Sequence, residues 1–194
     1  PDDVHFARTR LLTLENTWHG RVLDPEYVSA ATSWARAQGL ATHLDGARIF
    51  NAAIASGRTP AALVEGFDTV SICLSKGLGA PVGSVLVGTA QVIACARRWR
   101  KMLGGGMRQS GVLAAAALHA LDHHVDRLAE DHARAARLAK GLGRARAIEV
   151  RACHTNMVFI DVPLARLDAL RRHLAAAGIR ASIGYLPSVR DRKS

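Results

Sequence analysis

Two hydrophobic rhythms alternate along this chain. Leu11-Leu12-Thr13-Leu14-Glu15 is a short apolar run closed by Asn16 and Gly20, the pattern of a buried strand. Asp24-Pro25-Glu26 then opens a helix, with Asp24 as N-cap and Pro25 at the first helical position. Tyr27, Ala30, Ala31 and Trp34 share one side of it, it runs to about Gln38, and Gly39 stops it. Leu40 to Leu44 reads as the next strand, with Asp45-Gly46 at its C-terminal end. Ala47 to Ala55 is helical and ends at Gly57, and Thr59-Pro60 caps a short helix to Val64. Thr69 to Leu74 and Val82 to Val87 read as strands, and Ser75-Lys76-Gly77-Leu78-Gly79 lies between them.

After Gly88 the pattern changes. Gln91 to Met102 is a basic helix, and Gly104-Gly105-Gly106 is a flexible break. Ser110 begins one long helix, alanine-rich and then charged, to about Lys140. Ile148 to Val150 and Met157 to Val162 read as strands, Leu164 to Ala177 as a helix ended by Gly178, and Ile179 to Ile183 as a last strand. Strands alternating with helices predict an α/β class with a mainly parallel, helix-covered sheet. The later elements predict a small α+β unit. The expected division is 1–107 for the part of a large domain and 108–194 for the linking helix and an incomplete small domain.

With 49% hydrophobic residues in 194, a sizeable core can be buried. No apolar run is long enough to span a membrane; the alanine-rich stretch from Val112 to Leu121 is short and interrupted by His119. No signal peptide is evident, and the start at Pro1 without methionine leads us to expect a fragment. Cys73, Cys95 and Cys153 are widely spaced and form no Cys-x-x-Cys pair, which suits a reducing cytoplasm and no zinc site. His119, His123 and His124 lie on one helix without a third-ligand motif, so they read as helix-surface residues and no metal is expected. The net charge of +10 raises nucleic-acid binding, but the arginines are scattered among acidic residues and aromatics are few. Solvated helix faces fit that pattern better than a nucleic-acid stripe.

In parallel sheets ligands bind at the C-terminal strand ends. Asn16, Asp45 and Lys76 all fall there, after successive strands. Taken singly, Lys76 could be a loop lysine, Asp45-Gly46 a tight turn, Arg48 part of a helix-surface ion pair, and Arg108 a solvated loop arginine. Together they permit specific chemistry. A lysine flanked by apolar runs can be desolvated, which lowers its pKa and makes it an imine-forming nucleophile. A carboxylate facing a heteroaromatic nitrogen keeps that nitrogen protonated. This is the arrangement of pyridoxal 5'-phosphate, in which the ring is an electron sink tuned by an acid. Arg48, one helical turn after Asp45, could reach the same ligand or a substrate carboxylate. Arg108, after the glycines, could clamp an anion.

Longer blocks carry a resemblance. His43-Leu44-Asp45-Gly46-Ala47-Arg48-Ile49-Phe50-Asn51-Ala52, the stretch from Ser71 to Ser84, and the stretch from Arg98 to Gly111 resemble the low-specificity L-threonine aldolases, as does Leu14-Glu15-Asn16-Thr17. The similarity covers residues 1 to about 190. It implies a fold-type-I pyridoxal-phosphate enzyme, of which 1–107 would be the C-terminal part of the cofactor-binding domain. It implies cleavage of L-threonine or L-allo-threonine, small β-hydroxy amino acids, to glycine and acetaldehyde. By this resemblance Lys76 is the Schiff-base lysine and Asp45 the partner of the pyridine nitrogen. Arg48 lies near the ring hydroxyl and the substrate carboxylate. Arg108 reaches the phosphate across a subunit interface of a homo-oligomer, and Arg190 binds the substrate carboxylate.

Three departures from the family pattern stand out. Its N-terminal part, with a Ser/Thr-Gly phosphate loop, a ring-stacking histidine and the usual candidates for the base, is not in this sequence. Trp18 stands where histidine is common, so no role is assigned to His19. The pattern is left after Arg190. The expectation is therefore weak cofactor binding and poor turnover by this chain alone. A related β-eliminating lyase and a catalytically inactive partial chain are the alternatives.

Overall fold

The computed structural model of the chain describes residues 5–182. Its main sheet has four strands in the order β1 (Leu11–Glu15), β2 (Ala41–Asp45), β3 (Thr69–Cys73) and β4 (Ser84–Gly88). β1 pairs with β2 and β2 with β3 in parallel, whereas β3 and β4 are antiparallel. The mainly parallel sheet expected from the sequence is therefore present, with one reversed strand at its edge.

The first helix, α1 (Pro25–Ala37), carries the β1–β2 crossover. Asp24 caps it as expected, accepting a hydrogen bond from the Glu26 N–H at 2.9 Å. The β2–β3 crossover holds α2 (Ile49–Ser56) and α3 (Pro60–Leu63), the latter capped by Thr59. Side chains alternate across a strand, so Leu44 and Val70 share a face. There they join Ile49, Ala52, Ala53 and Leu63 in a buried cluster. Leu44, Ile49 and Ala52 are fully buried, and each large aliphatic side chain so removed from water contributes about 1.5–3 kcal/mol. Thr42 ties β2 to the start of β3: Asp68 Oδ2 accepts from the Thr42 N–H at 2.7 Å, and the Asp68 N–H donates to Thr42 Oγ1 at 2.9 Å.

After β4, α4 (Ala90–Met102) buries no residue. The single long helix expected from Ser110 to Lys140 is instead two, α5 (Gly111–His123) and α6 (Leu128–Leu142). No glycine or proline explains the break. The cause is tertiary. Leu128 is wholly buried with Leu74, Leu78, Ala80, Ala117 and Ala120, and the chain bends at 124–127 to bring it there. β5 (Glu149–His154) and β6 (Met157–Asp161) form an antiparallel pair, followed by α7 (Leu164–Ala176). The expected strand at Ile179 is not formed: residues 179–182 are irregular, and Ile183 lies outside the described residues.

Candidate active site

The parallel register brings Glu15, Asp45 and Ser71 side by side at the C-terminal ends of β1, β2 and β3. Backbone bonds extend this edge beyond the strands. The Asn16 N–H donates to the Asp45 carbonyl at 3.0 Å, and the Gly46 N–H donates to the Ser71 carbonyl at 2.8 Å. Gly46 is needed for that approach: a Cβ there would lie 3.0 Å from Val70 Cγ1 and 3.1 Å from the Ser71 oxygen. Asp45 is half-buried, and its Oδ1 accepts from the Ala47 N–H at 2.9 Å. An open groove of about 620 Å³, lined by Glu15, Trp18, Leu23, Tyr27 and Asp45 among others, runs along this end of β1.

Arg48 is the N-cap of α2, with φ −125° and ψ 32°. Its proximity to Asp45 thus comes from a turn, not from the shared helix face inferred from the spacing. Its Nε is buried and has no hydrogen-bond partner. The same holds for Thr17 Oγ1, in a residue 1% exposed just beyond β1. Sequence reasoning named Asn16 and passed over Thr17. In the structure Asn16 is occupied, its Oδ1 accepting from the Leu23 N–H at 3.3 Å, whereas Thr17 has a hydroxyl to spare. A lone threonine after a strand carries no signal in sequence.

Lys76 lies in the connection from β3 to β4. The Leu74 N–H donates to the Gly83 carbonyl and the Ala80 N–H to the Leu74 carbonyl, both at 3.0 Å, closing the base of the connection. Within it the Gly79 N–H donates to the Lys76 carbonyl at 2.9 Å, with Gly79 at φ +75°. Lys76 itself is exposed. The apolar setting expected for it is absent among the described residues, because the hydrophobic strands end before it and β4 is exposed throughout. Its charge is felt at Cys73. Burial alone would raise that thiol's pKa, but hydrogen bonds with Ser75 and Ser84, with the nearby Lys76 ammonium, bring it below the usual value.

The lysine loop rests on the α5–α6 bend. His124 Nδ1 lies 2.6 Å from the Leu78 carbonyl. His124 is therefore not the helix-surface residue expected from the sequence. Beneath Gly77, Leu128 fills the space so closely that a Cβ would lie 2.8 Å from its Cδ2. Asn51, 3% exposed, donates through Nδ2 to His132 Nε2 at 3.1 Å and ties α2 to α6. Burial lowers the His132 pKa, with Asp131 opposing.

Arg108 is exposed, beyond the glycine break, and no hydrogen bond joins it to Asp45, Arg48 or Lys76 among the described residues. Arg190 lies outside the described residues. Among those described, no cluster of three or more His, Cys, Asp or Glu side chains could hold a metal ion, and no helix is long and apolar enough to cross a membrane.

A parallel sheet with polar groups gathered at its C-terminal edge defines a class of ligand-binding α/β domain, and comparison with known proteins narrows it. The family model described as beta-eliminating lyase matches residues 1–165, and the chain belongs to that family. It is 52% identical over 179 residues to a low specificity L-threonine aldolase of Escherichia coli O157:H7, covering 92% of this chain and 54% of that protein. It is 48% identical over 182 residues to low-specificity L-threonine aldolase 1 of Arabidopsis thaliana, covering 90% of this chain and 51% of the relative. The chain thus spans about half the length of the curated relatives it matches. The threonine aldolase of Leishmania major shares its fold, with a TM-score of 0.73 at 20% identity over 88% of this chain and 51% of that one. The fold is that of fold-type-I enzymes.

Proposed function

We propose that this chain carries the lysine-bearing part of a pyridoxal-phosphate lyase that cleaves small β-hydroxy amino acids, L-threonine or L-allo-threonine, to glycine and acetaldehyde. The observation that carries this reading is the sheet edge itself. There an acid, Asp45, ends β2; Thr17, just past the end of neighbouring β1, and Arg48, in the turn after Asp45, each hold a buried polar atom without a partner (Oγ1 and Nε), and Lys76 follows the adjoining strand β3. Unpaired buried polar atoms cost free energy, and a polar ligand seated at this edge would satisfy them. The donor set suits the cofactor: an amine for its aldehyde, a carboxylate for its ring nitrogen, a guanidinium for an anion.

Bound there, pyridoxal phosphate supplies an electron sink for the pair left on the substrate α carbon when the Cα–Cβ bond breaks. The residues of the chain do the rest. Lys76 anchors the group through its amine. Asp45, its Oδ1 fixed by the Ala47 N–H, presents its other oxygen to hold the proton on the ring nitrogen. Arg48 orients the substrate carboxylate through paired donors, with Arg190 as a second partner. Arg108 serves the phosphate of a neighbouring subunit, which makes the working form a homo-oligomer.

The test is direct. Adding pyridoxal phosphate to the protein is expected to give a visible absorption band that borohydride fixes to Lys76. In Lys76→Ala the band is lost. A band that persists in that variant, or label at other lysines only, overturns the assignment. Acetaldehyde release from threonine, set beside keto-acid release from a β-substituted amino acid, separates aldol cleavage from β-elimination. The relatives' activity as threonine aldolases favours the first, and the beta-eliminating lyase family admits the second.

A further inference from the structure

We propose that His124 is a positioning residue for Lys76, acting through the carbonyl of Leu78. This rests on the reading of Lys76 as the cofactor lysine. The geometry behind it is independent of that reading.

A lysine that must meet a ligand at one point has a long, flexible stem. Its amine is placed only as well as the backbone that carries it. The Lys76 loop is held at its base by the two bonds of Leu74, and on its apolar side by Leu78, 3% exposed, and Ala80, 6% exposed. The tip from Ser75 to Gly79 has one internal bond, from the Gly79 N–H to the Lys76 carbonyl. The Leu78 carbonyl is bound from outside, by His124 Nδ1 at 2.6 Å. A carbonyl only accepts, so Nδ1 carries the proton. The bond is short, and it joins the loop to the α5–α6 bend, the feature that also delivers Leu128 under Gly77. One neighbour steadies the imidazole: His119 meets His124 edge-on at 5.3 Å between ring centroids, and is itself held against His123 at 4.5 Å. The side chain of His124 thus fixes the carbonyl two residues beyond Lys76, on a support that does not belong to the sheet.

The bond and the ring make different predictions. His124→Asn retains an N–H donor that can reach the carbonyl, whereas His124→Leu keeps bulk and loses the donor. In the protein without cofactor, amide hydrogen exchange at Gly79 and Ala80 is expected to be about ten-fold faster in His124→Leu, equivalent to about 1.4 kcal/mol. It should stay within about two-fold of the parent in His124→Asn. Borohydride-trapped pyridoxal phosphate at Lys76 should fall in the same order, measured by mass spectrometry against Lys140, a lysine on α6. Equal losses in both variants would show that the ring and not the bond matters, and would overturn the proposal. So would unchanged exchange at Gly79 and Ala80 in His124→Leu. If the parent does not label Lys76 above Lys140, the lyase reading fails, and the exchange data alone decide the role of His124. A urea midpoint for each variant identifies one that fails to fold; His124→Gln then replaces His124→Asn as the donor-bearing variant, and His124→Met replaces His124→Leu as the donor-free one.

Discussion

An alanine at position 77 would bring its Cβ to 2.8 Å from Leu128 Cδ2 and 3.6 Å from Asn51 Oδ1. Carbon atoms rest about 3.5–4.0 Å apart, so Leu128 or the loop must give by about 0.7 Å or more. Leu128 is wholly buried and cannot swing into solvent. Overpacking of this kind costs about 1–3 kcal/mol. The backbone does not add to it, since Gly77 is not among the positive-φ glycines. Restricting the unfolded chain contributes about 0.4–1 kcal/mol in the other direction. Gly77→Ala is therefore expected to destabilise, by up to about 2.5 kcal/mol. Leu128→Ala alone should cost about 2–5 kcal/mol. In the Leu128→Ala background, however, the clash is gone, and Gly77→Ala becomes stabilising by about 0.4–1 kcal/mol. The assay is a double-mutant cycle by urea unfolding, followed by circular dichroism, with midpoints and slopes compared. Equal costs for Gly77→Ala in both backgrounds would refute the claim that Leu128 sets the height of the loop.

Gly20 has φ +83°, and its Cβ would lie 2.6 Å from the His154 backbone oxygen, whereas Gly39 has φ +69° and open space around it. Alanine at both should be strained, but Gly20→Ala should cost at least about 1 kcal/mol more, read as the difference in urea midpoint. His132 has a depressed folded pKa because of burial, so the unfolded chain binds the extra proton first and stability rises with pH. Its contribution is present above about pH 6.5 and is lost as pH falls through the lower folded value; His132→Gln should flatten that part of the stability–pH curve. The Cys73 thiol, lowered through Ser75, Ser84 and Lys76 against the effect of burial, should react with iodoacetamide at a lower pH than an ordinary thiol. Lys76→Met should move that profile upward, and an unmoved profile would remove the lysine as a cause.

Much of the sheet was legible because its signals are local. The expected runs Leu11 to Glu15, Leu40 to Leu44 and Thr69 to Leu74 appear as strands with ends within one residue, and Asp24 and Thr59 cap the helices expected of them. That Asp45 and Lys76 follow neighbouring parallel strands also comes from strand order alone. What escaped the sequence depends on contacts between distant elements. Nothing in Asp122-His123-His124-Val125 announces a helix end, since the break exists for Leu128 and the Leu78 carbonyl. Asn51 looks like any polar residue on a short helix until His132 meets it. The environment of Lys76 was misread for a related reason: the flanking residues are apolar for the sake of the sheet, and the lysine projects past them.

The reversed strand β4 has a further consequence. A lysine in a crossover could tolerate added residues, because a helix can lengthen or shift. Here Cys73 and Ser84 face each other in the ladder, so the segment between them works as a ruler. One inserted residue must either bulge at the tip, moving the amine, or slip β4 by one position, turning Val85 and Val87 to the opposite side of the sheet. Substitutions within this segment leave the register of β3 and β4 unchanged. Its length is the property that selection would be expected to guard.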